Sequence, residues 1–335
     1  MSPRGGHPAI AWARLRASRR AVFGAVLLGF LTLTGVFAEI LASPAPIVAS
    51  GPAGVSFLPG VVHAAVYRAR PRDEIDRLHA GDRALWPLVR YGPTTPGDAG
   101  PNAPAGPRHP LGTDADGRDL FARLVWGART ALGLSAGAVL LGMILGVALG
   151  GIAGYERSFW NDRLVRLVET VDTFPAIIVV ALVRAIEREP TTRSLVIAVA
   201  FVRWAEVARL VRAEVLRAGA EEYVMAARAL GASPFRVFWR HILPNTLGPA
   251  IVSSVFGVAS VVLLEAALSF LRMGAPTGVA SWGETLAEGA QDPARLRLIV
   301  LPGLLLAATV GGSYLVASAL RDATDPRAAR RQAGS

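Results

Sequence analysis

Three aspartates lie within six residues in the run DADGRD, Asp114, Asp116 and Asp119, with Gly117 among them, and a cluster of this kind could hold calcium. A twelve-residue calcium loop begun at Asp114 needs a bidentate Glu at position 125, where Val125 stands instead. A turn that ends in a helix N-cap at Asp119 accounts for the same residues, with a short helix LFARLVWGA following it along the outer membrane surface. ATP hydrolysis by a Walker-type phosphate cradle is excluded by composition: that pattern ends in Gly-Lys-[Ser/Thr], and the chain contains no Lys. Without Cys there is no thiol nucleophile, disulfide or thiolate zinc site. The five His (7, 63, 79, 109 and 241) lack metal-ligand spacing, and neither His-Glu-x-x-His nor Gly-x-Ser-x-Gly occurs. No metal, cofactor or catalytic residue is therefore expected. The other groups able to do chemistry are Asp172, Arg203, Glu206 and Glu265, all inside apolar runs. A membrane-embedded enzyme could use the first three as catalytic groups, and would then be active as an isolated chain.

The elements that must position these groups are membrane helices. The chain has 335 residues, 52% hydrophobic and 18% charged, which is too apolar for a soluble domain of this length. Its net charge of +10 comes entirely from Arg gathered at the ends of apolar runs, a topology signal and not a nucleic-acid footprint. Arg14, Arg16, Arg19 and Arg20 precede an apolar run of 22 residues that could be a signal peptide or a first span. Its length favours a span, because a signal core is about 7–15 residues and a span needs about 20. Six spans fit: 21–43, 131–153, 168–186, 192–212, 247–270 and 298–320. The Arg bias then places 1–20, 154–167 (Arg157, Arg163, Arg166), the loop 213–246 and the tail 321–335 (Arg321, Arg327, Arg330, Arg331) on the cytoplasmic side. The segment 44–130 falls outside; its stretch 92–110 is Gly and Pro at ten of nineteen positions and reads as an extended spacer, and 55–91 as a small cap.

Within the core at 131–320, Gly142, Gly146, Gly150 and Gly154 recur at every fourth residue, which clears one helix face for close packing. Pro175 kinks or starts the third span. Glu206 stands three residues from both Arg203 and Arg209, so the three can neutralise one another along one face, as a structural ion cluster or as part of a pore lining. Glu265 is read either as a translocation-path residue or as an interhelical hydrogen-bonding group.

The loop EYVMAARALGASPFRVFWRHILPN, residues 222–245, is more ordered than a connector needs to be. Tyr223, Val224, Ala227 and Leu230 recur at helical spacing beside Ala226 and Ala229, and Gly231 closes that helix. Ser233 and Pro234 are N-cap and first-turn residues of a second helix, which Pro244-Asn245 ends before the fifth span. The shape is that of a plug for another protein's groove; a helix resting on lipid would place bulky residues where these alanines are.

This loop resembles the coupling loop of ATP-binding-cassette importer permeases: Ala226-Ala227, Gly231 and Leu243-Pro244 stand in the family's places, while Met225 replaces its Glu and His241 its Ile. The chain is similar in particular to the second permease subunit of the dipeptide, oligopeptide and nickel group. That likeness rests on HPLGTDADGRDLFARLVWGARTAL (109–132), Asp162, Arg166, Glu169, Phe174-Pro175, EAALSFL (265–271), SWG (281–283) and LRDATDPR (320–327). Two departures lie near membrane boundaries, Arg272 where a small residue is usual and Ala317-Ser318-Ala319 where Gly-Asp-Gly is usual; Arg272 joins Glu265, Arg203 and Glu206 as a candidate for the path or gate. ALWPLVRYGP (84–93) is reminiscent of members that take up longer or modified peptides.

The resemblance implies an all-α type I importer permease of about six spans with an insertion after the first, in the cytoplasmic membrane, with both termini cytoplasmic. It implies peptide as substrate, with nickel chelates or modified peptides as the alternative, and no enzymatic activity of the chain's own. The implied partners are two ABC ATPase subunits docking on 222–245, a homologous permease chain as heterodimer partner, an extracytoplasmic solute-binding protein and the lipid bilayer.

Overall fold

The computed structural model describes residues 13, 15–51, 54–67, 70, 72–155, 159–276, 278–292 and 294–324. Arg14, Arg157, Arg327, Arg330 and Arg331, and with them most of the expected termini, lie outside the described residues. The principal helices are α1 (Arg19–Val36), α2 (Leu120–Tyr155), α3 (Phe159–Thr173), α4 (Ala176–Ile186), α5 (Thr192–Gly219), α6 (Glu222–Ala229), α7 (Pro234–Phe270), α8 (Trp282–Gln291) and α9 (Leu296–Thr324). Among the described residues, α1, α2, α7 and α9 are long and apolar enough to cross a membrane.

The other two expected spans differ from this pattern for identifiable reasons. The third, 168–186, is two helices separated at Phe174-Pro175, because proline has no N–H to give and drives the preceding residue out of helical geometry. α4 keeps only 11 residues, about 16 Å of helix against a hydrocarbon core of about 30 Å. The fourth is the 28-residue α5, opened by a capping box in which Thr191 Oγ1 accepts from Ser194 N at 3.1 Å and Ser194 Oγ accepts from Thr191 N at 3.2 Å. It has the length to span, but it carries Arg203, Glu206, Arg209 and Arg212.

The described residues form two compact units. Unit I comprises residues to Leu28, Ser135–Val261 and the residues from Thr309; unit II comprises Gly29–Leu134 and Val262–Ala308. In unit I the glycines of α2 set a close seam with α5. A Cβ on Gly142 would lie 3.1 Å from Arg203 Cβ, one on Gly150 2.8 Å from Ala208 Cα, and one on Gly154 2.7 Å from Val215 Cβ. The fourfold glycine spacing thus does what it promises, bringing two backbones together. Val207, Val211 and Val215 continue that face into a buried cluster with Val224, Val237 and Ile242.

Unit II holds a small antiparallel sheet in the order β2 (Gly54–Phe57), β1 (Val48–Gly51), β3 (Arg83–Leu85), with Val48 opposite both Phe57 and Leu85. The segment 92–110 has no helix or named strand of its own, yet it is not a free spacer. Gly97 N donates to Gly117 O at 2.7 Å, Asn102 N to Asp114 O at 2.8 Å, and Thr113 N to Ala103 O at 3.1 Å.

Two expected helix boundaries are absent. LFARLVWGA is the first part of α2 and not a separate surface helix, since no proline or capping residue interrupts Leu120–Tyr155. Gly127 leaves room there for the indole of Trp282, whose Nε1 donates to Leu124 O at 2.9 Å. Pro244 likewise does not end the helix begun at Pro234. The turn Phe238–Ile242 widens to a π-helix, Leu243 N donating to Phe238 O, and the helix runs on to Phe270. A proline costs an α-helix one hydrogen bond and a clash one turn back; a π-turn absorbs that change of register.

Candidate functional site

The loop between α5 and α7 is built as a rigid hairpin within unit I. α6 ends in a Schellman motif: Ala232 N donates to Ala227 O at 3.1 Å and Gly231 N to Arg228 O at 3.0 Å, with Gly231 left-handed at φ 80°. Two residues later Ser233 caps the next helix, its Oγ accepting from Arg236 N at 3.4 Å. Side chains lock the two helices together. Tyr223 OH donates to His241 O at 3.2 Å and accepts from Asn245 Nδ2 at 3.1 Å, while Tyr155 OH donates to Pro234 O at 2.7 Å. Val224, Val237 and Ile242 are buried beneath.

Of the residues singled out from the sequence, Ala226, Leu230, Gly231, Ser233, Pro234 and Pro244 are exposed, whereas Tyr223, Ala227 and Leu243 are half-buried and serve the hairpin itself. The exposed face is not only alanine. Leu230 is 88% exposed, Phe235 71%, Trp239 54% and Met225 53%. Phe235 and Trp239 stand four residues apart on one helix face with ring centroids 5.9 Å apart; they are not among the residues expected at this surface, although their i, i+4 spacing signals them. Large apolar side chains exposed on a rigid hairpin, two of them in contact as the Phe235–Trp239 pair, are suited to burial against a partner protein.

The charges of α5 are arranged differently from the expected three-member cluster. Arg203 pairs with Glu206, but Arg209 turns to Asp172 of α3 at 3.3 Å, so the three do not neutralise one another. The Glu206 carboxylate is already engaged by Arg203, and Asp172 lies closer to hand for Arg209. Arg203 itself is largely buried, passing Gly257, where a Cβ would come 3.2 Å from its Cζ. Glu206 and Arg209 line a cavity of about 610 Å³ in unit I, together with Leu210, Val252, Ser253, Phe256 and Arg321.

Glu265 is fully buried in unit II. Its Oε1 accepts from Ser269 Oγ at 2.7 Å and from Ser281 Oγ at 2.8 Å, while Oε2 has no hydrogen-bond partner among the described residues. Because Ser281 also caps α8, accepting from Gly283 N at 3.1 Å, Glu265 ties the end of α7 to the start of α8. This is the geometry of the interhelical hydrogen-bond reading. Arg272 is exposed and left-handed at φ 59°, in the position after the C-cap of α7.

The aspartates of DADGRD are consumed by hydrogen bonds and ion pairs. Asp114 Oδ1 accepts from the backbone N of Asp116 and Arg118, and Oδ2 takes Arg118 Nε at 2.8 Å and Arg123 Nη1. Glu288 of α8 receives both Arg118 Nη2 and Arg123 Nη1 at 2.6 Å. Asp119 caps α2, accepting from Ala122 N at 2.8 Å, and holds His109 Nδ1 at 2.7 Å; burial pushes its carboxyl up, against those two hydrogen bonds. Asp98 meets His109 Nε2 at 3.1 Å. Burial also works against the charged form of Asp98, but hydrogen bonds from Tyr91, Arg108 and His109 outweigh it and hold the carboxyl well below the usual carboxylate range. No group of three or more His or acidic side chains suited to a metal stands among the described residues.

Residues 146–330 match the family described as binding-protein-dependent transport system inner membrane components, and residues 9–53 match the N-terminal transmembrane domain of oligopeptide transport permease C. The dipeptide transport system permease protein DppC of Alkalihalophilus pseudofirmus is 38% identical over 241 residues, covering 71% of this chain and 77% of that protein. The oligopeptide transport system permease protein OppC of Bacillus subtilis is 31% identical over 242 residues, 71% of this chain and 78% of that one. Among solved structures, the inward-facing MetNI methionine ABC transporter superposes with a TM-score of 0.54 at 16% identity, over 62% of this chain and 98% of that one. At that identity the likeness speaks for the fold alone. The chain therefore belongs to the binding-protein-dependent transport system inner membrane components, as a permease subunit of an ATP-binding-cassette importer and not an enzyme in its own right.

Proposed function

We propose that this permease passes peptides of the dipeptide and oligopeptide class across the cytoplasmic membrane, driven by two separate ATPase subunits that dock on residues 222–245. The substrate class follows the relatives, which are named for dipeptide and oligopeptide transport. The mechanism rests on one observation: Leu230, Phe235 and Trp239 are exposed on a hairpin whose own residues are clamped by Tyr155, Tyr223 and Asn245. A helix seated in another protein's groove passes a displacement on without covalent linkage, provided that the helix is stiff at its base. ATP-driven closure of the ATPases would then move α6 as a lever, and the Tyr223 and Tyr155 hydrogen bonds would carry the stroke to α7 and α2. A homologous permease chain completes the pathway, a binding protein delivers substrate from the far side, and both termini face the cytoplasm.

Leu230→Asp tests this reading, because the side chain is exposed and its replacement leaves the fold intact. The variant importer should lose its ATPase on purification and its chain-dependent peptide uptake in cells, with an unchanged melting temperature. Retention of the ATPase by L230D, or peptide uptake as fast without the chain as with it, rejects the proposal.

A further inference from the structure

The cavity of unit I differs from a gap between apolar helices in the groups placed on its wall. Its volume of about 610 Å³ falls within the range of about 300–1,000 Å³ usual for small-molecule sites. The walls are largely apolar, from Leu210, Val252 and Phe256, and three ionisable side chains enter them: Glu206, Arg209 and Arg321. The core of a protein–protein interface is depleted of charge, so three such groups in one recess fit a charged small ligand better than a partner helix.

The three are not equally satisfied. Arg209 is paired with Asp172, and Glu206 has one oxygen on Arg203. Arg321 stands over the ring of Phe256, its Cζ 5.1 Å from the centroid, and no carboxylate pairs with it among the described residues. A guanidinium fixed on an aromatic face in an apolar recess presents its N–H fork to an anion, and a carboxylate matches that fork with two parallel hydrogen bonds. An opposite charge on the same ligand would meet Glu206, whose other oxygen remains to accept an ammonium.

Resting on the peptide-permease reading, we infer that this cavity binds the ends of a short unblocked peptide, Arg321 taking the α-carboxylate and Glu206 the α-ammonium. The chain itself then contributes to selection, independently of any binding protein.

The test exploits the absence of cysteine from the chain. In the assembled importer, Ser253→Cys places this chain's single thiol on the cavity wall, and its labelling by a small maleimide is followed on this chain in the presence of trialanine or of trialanine amide. Trialanine should slow labelling and the amide should not, the difference in protecting concentration being about tenfold, as expected for one charge-assisted pair. With Arg321→Gln added the two compounds should protect alike, and with Arg321→Lys the preference for the free acid should return. Equal protection by acid and amide in the single S253C importer overturns the inference, as does a thiol that no maleimide reaches, which would mean that a partner chain fills the space. In parallel, cellular uptake of trialanine that depends on the chain but responds to none of these changes removes the site and leaves the peptide function standing. Absence of any chain-dependent peptide uptake removes both.

Discussion

Arg123 in unit II is buried and Arg203 in unit I largely so, and their surroundings have little in common. Arg123 is 1% exposed in its side chain and is met by three carboxylates, Asp114, Glu284 and Glu288, with Arg118 sharing all three. Among the described residues Arg203 has one ion-pair partner, Glu206, whose side chain is 44% exposed and borders a cavity. The same residue type therefore serves two ends. A closed, many-partner network fixes α8 against the start of α2, whereas a one-partner pair beside open space leaves charge available to a ligand or to a change of partner.

The strongest way to break this comparison is to remove both arginines in turn. Arg123→Met would leave Arg118 as the one cation holding Asp114, Glu284 and Glu288, with buried negative charge left in excess, a change that costs about 3 kcal/mol. Thermal unfolding of the purified importer should show a large fall, or folded chain should fail to accumulate. Arg203→Met leaves Glu206 able to reach water, and the loss should be much smaller, about 1 kcal/mol. Equal losses at the two sites would mean that the number of partners does not distinguish them.

The second contrast is within α2. Gly150 lies against the backbone of Ala208, so Gly150→Val must push two helices apart at a cost of about 1–3 kcal/mol. Gly133, on the same helix, has nothing within 4 Å of its missing Cβ, and Gly133→Ala should be neutral or stabilising by about 0.5–1 kcal/mol. Melting temperatures that moved together for both variants would reject the seam as the reason for the glycine spacing.

That seam was legible in the sequence because glycine has one dominant meaning at fourfold helical spacing. The cap signals were equally readable: Asp119, Ser233 and Gly231 each act through their own backbone neighbourhood, and each does so in the structure. What could not be read were choices made by distant residues. Arg209 takes Asp172 and not Glu206, three positions away, because α3 brings a second acid beside it. Pro244 does not break its helix because a π-turn precedes it, and no local pattern announces such a turn. DADGRD offered calcium ligands in composition, but Arg118 and Arg123 had already claimed Asp114, and Glu288, which completes that arrangement, lies more than 160 residues away in sequence.

Gly231 and Arg272 give the finest comparison, since both units end a helix with the same motif and differ in the residue used. At Arg272, Met273 N donates to Leu268 O at 2.7 Å and Arg272 N to Ser269 O at 3.0 Å, the bonds that Ala232 and Gly231 make after α6. Gly231 holds φ 80° without strain, whereas Arg272 holds φ 59° with a Cβ, at a cost of about 1–2 kcal/mol. Arg272→Gly should remove that strain and return about 0.5–1 kcal/mol through the looser unfolded chain, for a net gain of about 0.5–1 kcal/mol. Gly231→Ala should lose stability to a similar degree, since space is free around it and only the left-handed backbone resists. A rise in melting temperature for R272G with a fall for G231A would establish the two ends as one device built from different residues. If R272G also fell, the Arg272 side chain would have to contribute more than its backbone strain removes, and the path-or-gate role expected of it would gain its first support.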